Sequence, residues 1–223
     1  MNEKNKGVLL IIAVLSFVVY PCNGQPADNS TVVIGSQFWS TKNLDVATFR
    51  NGDPIGEAKT ADEWQAAGEK GEPKWCYYEN DPSNNLKYGK LYNWYALADA
   101  RGICPTGWHV PTDLEWTALT DYLGGLPVSG AKMKNTIGWE ENGNGNNKSG
   151  FSGLPGGRHT SNGPFLDAGW YGYWWSSTEG DTRHTSDRDL HYAWGRDLHY
   201  EDGLVRRYDF LKEDGMSVRC LRD

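Results

Sequence analysis

The chain has 223 residues, with 22 Lys and Arg against 29 Asp and Glu, a net charge of −7 and a pI near 5.3. That length suits one well-cored domain of about 200 residues or two small ones. The acidic balance argues against a nucleic-acid backbone or an anionic membrane surface as main partner, since both call for a basic patch.

At the N-terminus, Lys4 and Lys6 precede an uncharged apolar run over residues 8–20. The run is shorter than the roughly 20 residues a membrane-spanning helix needs and fits the core of a signal peptide. Cys22 and Gly24 are small residues two apart, which puts cleavage after Gly24 and leaves 1–24 as the leader. A lipid anchor at Cys22 is disfavoured, because Tyr20 and Pro21 are poor neighbours for one. The mature chain is then expected to be exported from a Gram-negative-type bacterium, to the periplasm, the outer surface or the medium, with no transmembrane span. Residues 25–31 form a polar tail expected to be flexible. Loss of Glu3, Lys4 and Lys6 makes the mature charge −7 − 1 = −8.

The 27 Gly, 11 Trp and 12 Tyr beside 3 Met and 6 Phe point to glycine turns and short aromatic strands. Residues 32–39 read as strand, turn and second apolar stretch, and residues 51–54 (NGDP) as a turn. Thr60 opposite Glu63 predicts a capped helix over 60–67, stopped by Gly68. Residues 75–78 read as an aromatic strand. Leu91, Trp94, Tyr95 and Ala98 fall at helical spacing, predicting a helix from 91 to about 100. Thr112 with Glu115 is a second capping box, followed by Trp116, Leu119, Tyr122 and Leu123 on one predicted helical face and by Gly124-Gly125.

Residues 138–164 read as loop. Residues 171–178 (YGYWWSST) predict a strand with aromatics on both faces. Arg-Asp-Leu-His-Tyr occurs at 188–192 and again at 196–200, which an uninterrupted strand would place on one face. Asp202-Gly203 and Asp214-Gly215 are hairpin signals, and 216–221 reads as a last strand with Cys220 on its apolar side. The pattern predicts one α+β domain over 32–223: strands, two central helices, then antiparallel strands.

Export would favour a disulfide, and of Cys76, Cys104 and Cys220 one would be left over. Sequence spacing leaves all three pairings open, and none resembles a zinc motif.

Several stretches together resemble the Fibrobacter succinogenes major paralogous domain, a family of exported bacterial proteins of uncharacterised function. They are residues 34–39 with Asn43-Leu44, 75–81, 88–95, 104–111, 150–157, 173–178 and 217–223. More distantly, residues 110–116 and 215–220 are similar to the formylglycine-generating, sulfatase-modifying family. That second resemblance implies an irregular C-type-lectin-like fold: terminal strands side by side, a mostly antiparallel sheet, two flanking helices and long loops. It also implies a Cys104–Cys220 bridge. The formylglycine-generating enzymes carry a metal-binding cysteine pair before the final Arg-Cys stretch, and residues 174–219 contain no cysteine. Their oxidation chemistry is therefore not carried over.

His109, His159, His184, His191 and His199 form no metal spacing and read as solvated polar residues. Glu79 and Asp81, and Asn142, Asn144, Asn146 and Asn147, offer oxygen ligands of the kind calcium takes, though Asn-Gly runs are also ordinary turn chemistry. Trp174 and Trp175 are assigned to the core. Trp170 and Tyr171, beside glycines, are candidates for an exposed ligand-binding surface with Asn142 and Asn144. The sequence reading is a non-catalytic exported recognition module with no resident cofactor, calcium apart, that binds a glycan or a cell-surface protein. A secreted hydrolase using acidic residues or calcium, and a structural envelope protein, are the alternatives.

Overall fold

The computed structural model describes residues 31–186 and 189–223. The leader, Cys22, the tail up to residue 30 and Arg188 of the first repeat lie outside the described residues. A hairpin of β1 (Thr31–Ile34) and β2 (Gln37–Ser40) begins the chain. There follow β3 (Gly56–Glu57), α1 (Ala61–Lys70), β4 (Lys74–Cys76), α2 (Asn85–Tyr88), β5 (Leu91–Tyr92), α3 (Trp94–Ala98), β6 (Trp108–His109), α4 (Asp113–Tyr122) and α5 (Leu126–Met133). The C-terminal half is β-rich: β7 (Gly156–His159), β8 (Phe165–Ala168), β9 (Tyr171–His184), β10 (Asp189–His199), β11 (Val205–Leu211) and β12 (Leu221–Arg222). The architecture is α+β.

Among the described residues the strands form three sheets, ordered β1-β2-β12-β6, β11-β10-β9-β7-β8 and β3-β4-β5. The first joins the two ends of the domain, with Leu221 opposite Trp39. The five-stranded sheet carries a core on each face. Tyr173 and Trp175 join Ala193 and Phe210 on one side, while Trp174 joins Leu198 and Val205 on the other. Alternation along a strand produces that split, and Trp174 and Trp175 are both fully buried, as the sequence predicts.

Local chemistry explains the helix starts. Thr112 Oγ1 accepts from the Glu115 N–H and a Glu115 carboxyl oxygen accepts from the Thr112 N–H, completing the capping box of α4. At α1 only half of the expected box forms: Thr60 Oγ1 accepts from the Glu63 N–H, while the Glu63 carboxylate accepts from the Lys59 N–H, and the helix runs through Gly68 to a left-handed Gly71 at φ 67°. Gly68 sits inside because a Cβ there would meet the Glu213 side chain at 3.0 Å.

Elsewhere tertiary pairing overrides the local pattern. The helix expected from 91 begins only at Trp94. Leu91 and Tyr92 are strand, paired with Cys76 and Trp75, and Tyr92 exchanges two backbone bonds with Met216. Asn93 then caps the short helix through its side chain. Tyr122, expected in the core, is exposed, as is Ala98. The strand expected at 75–78 is shifted to Lys74–Cys76, with a 3-10 turn at Tyr78–Asn80. Helix α5 had no counterpart in the sequence reading, nor had β7 within the expected loop. The strand expected at 171–178 continues to His184, and the Arg-Asp-Leu-His-Tyr region is one strand from Asp189 to His199.

The last strand differs most. Asp202-Gly203 does join antiparallel β10 and β11, but the Asp214-Gly215 turn leads into the middle of the molecule, not into a hairpin. Residues 213–220 are all buried. They bond in turn to His159, Tyr92, Tyr173, Trp175, Leu44 and Ser40, and only Leu221–Arg222 is regular strand. Polar Ser217 and Arg219 are therefore as buried as Met216, Val218 and Cys220. Cys220 is disulfide-bonded to Cys104 across a sequence separation of 116, with 6.0 Å between Cα atoms. Cys76 is free and buried, and burial pushes its thiol pKa well up.

Candidate functional site

Three turns meet at one end of the five-stranded sheet. The Trp170 N–H donates to the Asp167 carbonyl, the Tyr200 N–H to the Trp170 carbonyl, and the Glu140 N–H to the Gly169 carbonyl. Gly143 lies so close to Tyr200 that a Cβ would stand 2.5 Å from its carbonyl oxygen. The 199–202 turn is fastened from below by Lys134, whose buried ammonium donates to the carbonyls of His199, Tyr200 and Asp202 at 2.9, 3.2 and 2.8 Å. Burial lowers the Lys134 pKa, with Asp202 opposing the shift.

On this frame Trp170 remains 36% exposed, its ring edge-on to Tyr200 at 4.7 Å. Exposed Glu140, Glu141, Asn142, Asn144 and Glu201 belong to the same turns. The structure thus brings Trp170 together with Asn142 and Asn144. Asn144 already uses its side-chain oxygen to accept from the Trp139 N–H, and Asn142 adopts φ 59°. Asn146 and Asn147 likewise accept from the Lys148 and Ser152 N–H groups, which is turn chemistry.

Tyr171 turns to the opposite face of the sheet. Its ring meets His199 at 4.0 Å and stacks on Tyr173 at 6.0 Å. Cross-strand register places Asp197 opposite Tyr173 and His199 opposite Tyr171, with Arg206 opposite Asp197 on β11. The Tyr173 hydroxyl donates to Asp167 at 2.8 Å, and the Arg158 guanidinium lies 5.2 Å from the Tyr173 ring. Asp197 is 4% exposed; one oxygen lies 3.6 Å from His199 Nε2 and the other has no hydrogen-bond partner. Burial pushes its pKa up to about 7, against the pull of Arg206 and Arg158. Burial also lowers the pKa of His199. Asp197 was not a site candidate from the sequence. Its signal is register, which only the pairing of β9 with β10 supplies.

The remaining candidates are scattered. Glu79 and Asp81 flank a tight turn, and Asp81 accepts from the Ser83 N–H, which lowers its pKa. Among the described residues, no three His, Cys, Asp or Glu side chains are grouped to hold a metal. His159 is not solvated: it is buried between Trp64 and Phe165, and burial lowers its pKa to about 4. His109 bridges Asp223 at 2.6 Å and Glu115 at 3.0 Å. His184 meets Asp189, and His191 meets Thr182. A cleft of about 670 Å³ lies elsewhere, between residues 40–46 and 85–89, with Trp108 and Leu154 on its walls. Among the described residues, no helix is long and apolar enough to cross a membrane.

A family model described as the Fibrobacter succinogenes major domain matches residues 32–222. No curated protein and no solved structure matches the chain.

Proposed function

The chain belongs to the Fibrobacter succinogenes major domain family, and from that premise we propose that it is an exported, non-catalytic recognition module that binds a glycan at the Trp170 end of its five-stranded sheet. The carrying observation is the exposed Trp170 ring, braced edge-on by Tyr200, on a set of joined turns that also carries the exposed residues Glu140, Glu141, Asn142, Asn144 and Glu201. A sugar offers an apolar C–H face to such a ring and hydroxyls to polar neighbours, the pairing that this surface supports. The paired terminal strands, the flanking helices and the Cys104–Cys220 bridge support a C-type-lectin-like reading of the fold.

The test is a glycan-array screen of the mature protein, followed by titration monitored through tryptophan fluorescence. Binding that disappears in Trp170→Ala while the fold persists supports the reading. A silent array, or binding that survives the substitution, overturns it. A hydrolase would lean instead on the buried Asp197 carboxyl, and would cleave the glycan that it binds. A protein-binding or structural role would appear as a stable assembly with Trp170 covered.

A further inference from the structure

We propose that the cleft between residues 40–46 and 85–89 binds an acidic sugar, one whose ring carries a carboxylate or a sulfate, in the field of the buried Arg219 guanidinium. The site shares no lining residue with the Trp170 surface and does not depend on it. Behind its wall lies a cation without an acid. Arg219 is almost wholly buried, and its guanidinium donates to Asn43 Oδ1 and to the carbonyls of Ser40, Phe151 and Ser152. Ser40, Asn43 and Ser152 themselves line the cleft. Among the described residues, no carboxylate is in ion-pair contact with Arg219. Burial lowers its pKa to about 9, so the charge persists at neutral pH. A positive charge set in a low-dielectric wall projects its field into the adjoining cleft. Arg219 acts on the ligand through that field, not by contact.

The rim carries the same sign. Exposed Lys42 and Lys87 stand on the two facing segments, and exposed Arg222 lies opposite Trp108 in the four-stranded sheet. Asp45 is the one acid among the described lining residues, and buried Lys90 opposes its charge. This local excess of cations occurs on a chain of net charge −7. The turns around Trp170, with exposed Glu140, Glu141 and Glu201, have the opposite sign. The walls are also fixed in place. Gly89, at φ 73°, approaches the first segment so closely that a Cβ would stand 2.8 Å from the Leu44 carbonyl oxygen. Asn43 Nδ2 donates to the Tyr88 carbonyl at 2.8 Å, joining the two segments. The volume of about 670 Å³ falls within the roughly 300–1,000 Å³ of small-ligand sites. Half-buried Trp108 and Leu154 offer an apolar face, while Thr41 and Asn135 bring a hydroxyl and an amide, the mixture that a sugar ring uses beside its acid group.

Galacturonate, mannuronate and sulfated galactose oligomers of matched length are titrated by calorimetry, each beside its uncharged counterpart (the methyl ester or the unsulfated oligomer), with a polyglutamate peptide as a further probe. Wild type is compared with Lys42→Glu/Lys87→Glu at the rim and with Lys59→Glu/Lys70→Glu, which makes the same change in net charge at exposed residues outside the lining. The expected result is an acidic oligomer that binds about tenfold or more tighter than its uncharged counterpart and weakens with added salt. The rim variant should lose about tenfold while keeping the wild-type urea midpoint, and the second variant should not. A uronate response assigns a carboxylate, and a sulfated-galactose response a sulfate. Silence from every acidic oligomer, equal binding of charged and uncharged sugars, or equal losses in the two variants overturns the site. A polyglutamate peptide that matches the best oligomer overturns the sugar as carrier of the charge.

Discussion

Arg219 offers the sharpest test of how this domain is held together. The residue is 1% exposed, and its guanidinium faces carbonyl and amide oxygens where a carboxylate would be usual. Nε donates to Asn43 Oδ1 at 2.8 Å, one terminal nitrogen to the carbonyls of Ser40 and Phe151 at 2.7 and 2.9 Å, and the other to Ser152 at 3.1 Å. One side chain thus ties the loop after β2, the loop before β7 and the C-terminal segment, with the Phe151 ring 4.5 Å away. Burial lowers its pKa to about 9 and leaves it charged at neutral pH. Arg219→Met removes every donor. At about 1–3 kcal/mol for each of the three carbonyls left without a partner, and with Asn43 Oδ1 still served by Trp174, the loss should be about 3–9 kcal/mol. Arg219→Lys retains the charge but cannot reach all four oxygens, and should lie between the two. Urea unfolding followed by tryptophan fluorescence measures both. If Arg219→Met unfolds within about 1 kcal/mol of wild type, the carbonyl cage is not a principal support and the reasoning is wrong.

Four further outcomes follow from the same geometry. Replacing Cys104 and Cys220 by Ser opens a loop with a sequence separation of 116, and in the chain-entropy model this costs about 5 kcal/mol, measurable by the same unfolding assay. Burial raises the Asp197 pKa from 3.8 to about 7, so the folded state keeps a proton that the unfolded chain gives up, and stability falls as pH rises from about 4 to 7. Asp197→Asn should therefore be more stable than wild type at pH 8, by up to about 4 kcal/mol, with the difference closing near pH 4; a pH-independent difference would refute this. At His109 burial acts to lower the pKa, but hydrogen bonds to Asp223 and Glu115 prevail and raise it above 6.5. Its contribution is complete below about pH 6.5 and fades as pH climbs through the raised value, so a wild-type against His109→Gln comparison should converge in alkaline buffer. Gly130→Ala places a methyl 2.4 Å from the Leu204 carbonyl oxygen and should destabilise by about 2 kcal/mol or more, seen as a lowered urea midpoint.

What the sequence discloses here is what neighbours in sequence decide. The Thr112–Glu115 box closes its own hydrogen bonds, so α4 is legible from four letters. Aromatic alternation at 173–175 announces a strand with two buried faces, and the alternation survives folding. Leu91 and Tyr92 mislead because their partners, Trp75 and Met216, are distant in sequence. Helix α5 is obscured by Pro127 and Gly130: the proline fits a first turn, and the glycine is required by the crossing chain at Leu204. The repeated Arg-Asp-Leu-His-Tyr is the clearest case. Asp189 in the first copy is exposed and meets His184, while Asp197 in the second is buried beneath Tyr173. Identical letters acquire opposite environments, and only register distinguishes them. Trp170, next to glycine, is recognisable as a surface ring; Asp197 is not recognisable at all.

The buried run at residues 213–220 also sets a timetable. Strands β2, β5, β7 and β9 are synthesised long before the segment that bonds to all four, so a nascent chain must wait for its final residues before its interior can close. Partial products should be loose and readily digested, and a truncation that removes only those residues should forfeit the whole domain and not merely its tip.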